Sequence, residues 1–326
     1  MPKVSILVAV YNAEAFLSEC LDSLLGQTLQ DIQIICIDDC STDGSLRLLQ
    51  EYAARDARIE VISLPENGGQ AHARNEGLKR AKGDYICMLD ADDWFAPDAL
   101  ERAVAAFEDH TDTVLFDVVM KYDDQREELY QMPAFETLTG TEAFLLSLDW
   151  QIHGLYMVRA VIHQQHPYDE TCRLYSDDNT TRIHYICSRQ VRRCEGRYYY
   201  RQHADSATHR SSVRRFDYLR ANESMRRQML ALDDVSQEIL DAYENHRWLN
   251  MIGVYMFYHV HGHELSAADR AYGLSELYRI WASIDRRALK KETIAKFGYR
   301  PCQSWWLFRL QEWVYFTLRG FLGKNR

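Results

Sequence analysis

Paired cysteines are missing from this sequence. Cys20, Cys36, Cys40, Cys87, Cys172, Cys187, Cys194 and Cys302 show no C-x-x-C spacing, and several fall inside apolar strand or helix patterns. That spacing predicts reduced core thiols of a cytoplasmic protein rather than a disulfide framework. Basic residues are in deficit: 38 Lys and Arg stand against 48 Asp and Glu, a net charge of −10, which argues against nucleic-acid binding as the main task. Long apolar runs are also missing. The start, Met1-Pro2-Lys3-Val4, leads straight into a short apolar stretch ending at Val10, too short for a signal-peptide core with its cleavage region or for a membrane span, so export is not expected. No G-x-G-x-x-G follows that stretch, which speaks against a dinucleotide-dependent oxidoreductase. Nor is Tyr11-Asn12-Ala13-Glu14 the basic, Gly-rich loop expected of a nucleotidyltransferase. The 326 residues contain no long internal repeat or low-complexity linker and suit two domains, or one large domain with an appendage.

Strand and helix patterns alternate through the first hundred or so residues. Val4 to Val10 is a near-continuous apolar run, as a parallel strand covered on both faces requires. Phe16, Leu17, Cys20, Leu21, Leu24 and Leu25 then recur at helical spacing, with Asn12 a candidate cap. Strands are predicted over Ile32 to Ile37, Ile59 to Leu64, Tyr85 to Leu89 and Thr113 to Val119, and helices after Ser41-Thr42-Asp43-Gly44-Ser45 and over Ala71 to Ala81. The pattern predicts an α/β fold, a doubly wound, mostly parallel sheet flanked by helices. Further on, Lys121 to Pro133 reads as a surface excursion, and Thr139 and Glu142 match the spacing of a capping box. From Val213 the composition turns helical, which divides the chain into 1–212 and 213–326.

The stretch Gly83 to Trp94 ends a buried strand in three carboxylates, Asp90, Asp92 and Asp93. Ligands of open α/β sheets collect at such strand ends, and a hard divalent cation, Mn²⁺ or Mg²⁺, takes carboxylate oxygens there. Asp90 and Asp92 alternate along the strand end while Asp93 points elsewhere, so at most two of the three would share a metal. The competing reading makes Asp93 the cap of a helix beginning at Trp94-Phe95.

With these motifs in view, the first two hundred or so positions resemble the family 2 glycosyltransferases, whose catalytic domain has the GT-A fold. The resemblance rests on Val4-Ser5-Ile6 through Tyr11-Asn12, Gln27-Thr28, Asp38-Asp39-x-Ser41-Thr42-Asp43-Gly44, Asn67-Gly68-Gly69, Ala73-Arg74-Asn75-x-Gly77, Gly83-Asp84-Tyr85 and Asp90-x-Asp92-Asp93, in the family's order. The details are most similar to bacterial members that build capsule, lipopolysaccharide or other surface glycans. Ala9 stands where many members have Pro, Cys40 where many have Gly, and Ser176-Asp177-Asp178 where Glu-Asp is common.

The resemblance implies a UDP-sugar donor, a glycan or lipid-linked acceptor, and a set of roles. Asp39 would accept from uracil N3-H, Tyr11 would lie against the base, and Arg74 would complete the base or phosphate contact. Asp92 would be the direct metal ligand, with Asp90 nearer the ribose or bound through water, and His203 would approach the diphosphate or the metal. Asp178 would take the acceptor proton, with Asp177 beside it raising its affinity for protons. Trp150, His153 and Tyr156 are candidates for the acceptor site, since aromatic faces suit sugar rings. Packing, capping and surface roles stand beside these as the alternatives. Direct attack opposite the leaving diphosphate would invert the anomeric carbon. A non-catalytic nucleotide-sugar-binding or regulatory protein on the same fold is the rival reading, against which the pairing of Asp92 with Asp178 counts.

The tail concentrates Trp305, Trp306 and Trp313 among large apolar residues, interrupted by Arg309, Glu312 and Arg319 and followed by Lys324 and Arg326. Those interruptions exclude a membrane span but suit a helix lying in the interface of the inner face of the cell membrane, or one packed on a partner subunit such as a second copy. Packing on the preceding helices is the competing expectation.

Overall fold

In the computed structural model, which describes residues 1–122, 125–172, 175–202, 213–294 and 304–323, the opening apolar run forms β1 (Val4–Val10). Alternation then continues through α1 (Glu14–Leu25), β2 (Ile32–Asp38), α2 (Ser45–Ala53), β3 (Ile59–Ser63), α3 (Gln70–Leu78) and β4 (Tyr85–Met88). These strands pair in parallel in the order β3-β2-β1-β4. β1 is covered on both faces. Val4, Ile6, Val8 and Val10 pack with Leu17, Leu21 and Leu24 of α1, whereas Leu7 packs with Ile35, Ile37 and the Ala73 and Leu78 side of α3. α3 sits close because Gly77 faces the sheet: a Cβ there would meet Ile37 Cδ1 at 2.6 Å.

Beyond β4 the order departs from simple alternation. There follow β5 (Trp94–Phe95), α4 (Ala99–Ala105), β6 (Thr111–Lys121), β7 (Glu127–Leu129), β8 (Thr137–Thr139), α5 (Gly140–Leu148), β9 (Tyr156–Arg159), α6 (Ala160–Gln165), α7 (Ser176–Cys187) and β10 (Gln190–Arg201). The sheet continues β4-β9-β6-β10-β5, with β7 on β6 and β8 on β10, and it is mixed: β9 runs antiparallel to both β4 and β6, while β10 is parallel to β6. Thr139 and Glu142 form the capping box that their spacing predicts. Of the surface excursion expected over Lys121 to Pro133, Lys121 ends β6, and the described residues 122 and 125–133 are exposed or half-buried and contribute the exposed strand β7. Asn12 does not cap α1. It takes φ 51° and its side chain accepts instead from Thr42 N–H at 2.7 Å.

The chain divides into two compact units, Met1–Ala207 and Thr208–Arg326. In the second, α8 (Asp217–Leu230), α9 (Gln237–His261), α10 (Ala267–Ser283), α11 (Lys291–Ile294) and α12 (Trp305–Phe321) enclose a core that includes Phe216, Trp248, Met251, Leu277, Phe308 and Phe316. Ser236 and Ser266 cap α9 and α10 through their hydroxyls. Arg247, fully buried, is neutralised by Glu244 and Glu223. Among the described residues no helix is long and apolar enough to cross a membrane.

Candidate active site

Four strands of the parallel half end on one edge, and the loops that leave them are tied together. After β1, Asn12 N–H donates to Ser41 Oγ at 3.0 Å, while Tyr11 leaves its ring about half exposed. After β2, the Asp39 carboxylate is buried and each oxygen is engaged: Oδ1 accepts from Gly68 N–H and Oδ2 from Gly69 N–H, both at 2.8 Å. Gly69 needs its missing Cβ here, since its φ is 88°. The Asn67-Gly68-Gly69 loop is therefore clasped onto β2, and beside it a cavity of about 210 Å³ is lined by Gln70, His72, Glu170 and Cys172 among others.

After β4, Asp90 to Asp93 form a tight turn closed by Asp93 N–H on the Asp90 carbonyl at 3.0 Å. Asp93 does not cap a helix. Its buried carboxylate accepts from Tyr198 O–H and from the Arg201 backbone N–H, both at 2.8 Å, so it fastens β10 to the turn. Burial, with Asp90 and Asp92 adding to it, pushes its carboxyl up to about 9. Trp94 and Phe95, read from sequence as a helix start, instead pair antiparallel with Tyr199 and Tyr198. Phe95 packs its ring against Phe116 and Tyr198.

Arg74 is neither a surface charge nor turned to open solvent. It is buried on α3, its guanidinium donates to Asp90 Oδ1 at 2.6 Å, and it lies 5.2 Å from the centre of the Tyr168 ring. Gln70 donates to the same oxygen at 3.1 Å. Asp90 is nevertheless raised, by burial first, with Arg74 opposing and Asp92 and Asp177 adding to the rise. The same four acidic groups, Asp90, Asp93, Asp92 and Asp177, act with burial on the Tyr200 hydroxyl of β10 and push it up to about 12. No motif marks Tyr198 and Tyr200, and the only sequence signal that points to them is the aromatic run Tyr198-Tyr199-Tyr200-Arg201.

Asp177 and Asp178 occupy the first turn of α7, whose N-cap is Tyr175 in the left-handed region at φ 65°. Neither is the cap itself. Asp177 Oδ1 accepts from Asp178 N–H at 3.1 Å. Burial, then the Asp177 charge, pushes the Asp178 carboxyl up to about 7, with Arg182 opposing from 3.9 Å. Arg182 in turn lies 5.6 Å from the Trp150 ring, which is about half exposed. Of the three acceptor candidates only Trp150 presents its ring to solvent. His153 is buried, accepts from Leu155 N–H and is pushed down to about 4 by burial. Tyr156 is buried with its hydroxyl 2.7 Å from His184 Nδ1. Both are packing residues. His203 lies outside the described residues.

Among the described residues no cluster of three or more His, Cys, Asp and Glu forms a ready metal cage. The donor chemistry nevertheless suits a hard divalent cation: Asp90, Asp92 and Asp177 carry mutually repelling charge that Arg74 offsets only in part.

The fold and its carboxylate-lined strand ends define a GT-A-type α/β domain. Residues 5–166 match the model of glycosyl transferase family 2, and through them the chain belongs to that family. An uncharacterized glycosyltransferase EpsJ of Bacillus subtilis is 49% identical over 102 residues, 31% of this chain and 29% of the relative. The poly(ribitol-phosphate) beta-glucosyltransferase of Bacillus spizizenii is 47% identical over 103 residues, 31% of this chain and 16% of its own length. The chain thus spans less than half the length of these curated relatives. Among solved structures, residues 1–349 of S. aureus TarS in complex with UDP-GlcNAc superpose with a TM-score of 0.75 at 18% identity, over 99% of this chain and 92% of that one. The Pyrobaculum calidifontis mannosyltransferase PcManGT, in complex with GDP-Man and Mn²⁺, gives 0.54 at 15% identity, over 99% and 88%. Both likenesses concern the fold.

Proposed function

We propose that the protein is a metal-dependent, inverting glycosyltransferase that moves a sugar from a UDP-sugar to a hydroxyl of a glycan or lipid-linked acceptor in bacterial surface polysaccharide synthesis. The observation that carries this reading is the placement of the Asp177–Asp178 pair in the first turn of α7, Asp177 Oδ1 accepting from Asp178 N–H and its charge acting on Asp90 in the turn after β4, with burial and Asp177 lifting the Asp178 carboxyl to about 7. A general base works best with a pKa near the operating pH.

In this reading Tyr11 covers the base, and Asp39 meets uracil N3-H with the acceptor capacity left after Gly68 and Gly69, since each carboxylate oxygen has two lone pairs. Arg74 orients Asp90 rather than touching the nucleotide. A divalent cation held by Asp92 and Asp90 would supply Lewis-acid neutralisation of the departing diphosphate. Asp178 takes the proton of the acceptor hydroxyl, whose oxygen attacks opposite the leaving group, so an α-linked donor yields a β-glycoside. Trp150, next to Arg182, gives the acceptor ring an aromatic face.

Purified protein incubated with Mn²⁺ and a panel of nucleotide sugars is expected to release UDP from one of them, faster with the right acceptor. A CDP-sugar should bind more weakly by about 1–3 kcal/mol, because the Asp39 acceptor then lacks its donor. Binding of a UDP-sugar without release under any acceptor would favour the non-catalytic reading instead.

A further inference from the structure

α12 has two apolar faces. Phe308, Glu312 and Phe316, four residues apart, point into the helical core, while the opposite side leaves Trp306, Leu310, Trp313, Leu318 and Phe321 in solvent, with Trp306 66% and Phe321 85% exposed. An isolated exposed leucine needs no explanation, but a continuous stripe along a whole helix does. Along one edge of the stripe, between α12 and the α9–α10 corner, runs a groove of about 480 Å³ whose lining includes Arg270, Arg309, His259 and His263, together with Trp306 and Trp313. Among the described residues no carboxylate lines it. Arg270 donates to the carbonyls of Gly262 and Leu265, which leaves its charge in place. Glu264 pairs with His261 at 3.1 Å and with His263 of the groove lining at 3.7 Å, so Arg270 and Arg309 carry the groove's charge.

The groove's positive charge comes from its two arginines, since burial pushes His259 down. Residues 208–326 hold 19 Lys and Arg against 13 Asp and Glu although the whole chain has a net charge of −10. The groove's position against an exposed Trp-containing stripe names its partner. We infer that this face is a docking surface for an anionic lipid bilayer: the stripe enters the interface and the groove receives a headgroup phosphate. A second copy of the chain fits less well, because a two-fold pairing of the stripes would bring two arginine-lined grooves together. The inference places the proposed transferase where a lipid-linked acceptor resides, yet it rests on the helical unit alone. UDP release in solution reads the first unit and vesicle binding the second, so either can fail without the other.

The test is sedimentation of the full chain with vesicles of phosphatidylcholine alone and of phosphatidylcholine mixed with phosphatidylglycerol, at low and high salt. The protein should pellet with the mixed vesicles, weakly with the neutral ones, and less at high salt. Arg309→Gln should weaken binding about fivefold, the worth of one basic residue near an anionic surface. The double variant Trp306→Ser, Trp313→Ser should weaken it by at least about tenfold while circular dichroism stays unchanged, since both rings are exposed. Equal binding to both vesicle types, no binding, or binding indifferent to the double variant would each overturn the inference. So would concentration-dependent self-association that the double variant abolishes in the absence of vesicle binding, which would assign the stripe to a second copy.

Discussion

Replacing Asp178 by Asn keeps the side chain's shape and removes its ability to hold a proton in transit. Turnover should fall by roughly 10²- to 10⁴-fold with donor affinity little changed, as separate kcat and KM measurements would show. Because the base must be ionised to act, kcat should rise with pH through about 7, where burial and Asp177 place this carboxyl. Asp177→Asn removes one cause of that elevation, so the acid limb of the kcat profile should move to lower pH. Asp92→Ala should abolish turnover, as should excess chelator. It has a readout besides activity: Mn²⁺ should raise the melting temperature of the natural protein and not that of the variant, since a ligand that binds only the folded state stabilises it. Residues with a motif around them were visible in the sequence; their hydrogen bonds were not. Nothing local to Asp39 discloses that Gly68 and Gly69 already engage both its oxygens, or that Arg74 spends its charge on Asp90.

At the scale of elements, the turn after β4 depends on α3 for the buried Arg74 that meets Asp90. Arg74→Met would take from Asp90 the guanidinium that opposes Asp92 and Asp177, and should cost about 3–5 kcal/mol in a urea titration, the usual result of removing one partner of a buried pair. Adding Asp90→Asn should recover most of that loss. The parallel half of the sheet was legible because each of its strands is a short apolar run followed at once by a helical period. The mixed half was not. Trp94 and Phe95 carry no strand period of their own; they are extended because Tyr198 and Tyr199 of β10 pair with them and Phe116 packs beneath. His153 and Tyr156 show the same limit, since an aromatic side chain suits a sugar and a core equally well until its neighbours are known.

For the whole molecule, the structure meets one of the expectations for the tail: α12 packs on the preceding helices. Phe308 and Phe316 belong to the helical core, so a chain truncated at residue 303 should lose cooperative unfolding of the second unit, each lost Phe costing about 3–5 kcal/mol. Differential calorimetry of the truncated chain checks this, and it is why point substitutions on the exposed face are the cleaner probe of membrane contact.

The fastening of Asp93 by Tyr198 and Arg201 sets an order on biosynthesis. The family match closes at residue 166, but the turn that carries the carboxylates is secured by partners 105 and 108 residues further along the chain. β5 meets its own partner in β10 too. A ribosome that has released only the matched segment has therefore produced a sheet without β10, in which Asp93 still lacks its partners on that strand. An expression fragment cut at that boundary would stop short of the strand that completes the site, so the smallest piece worth making for catalysis runs past Arg201.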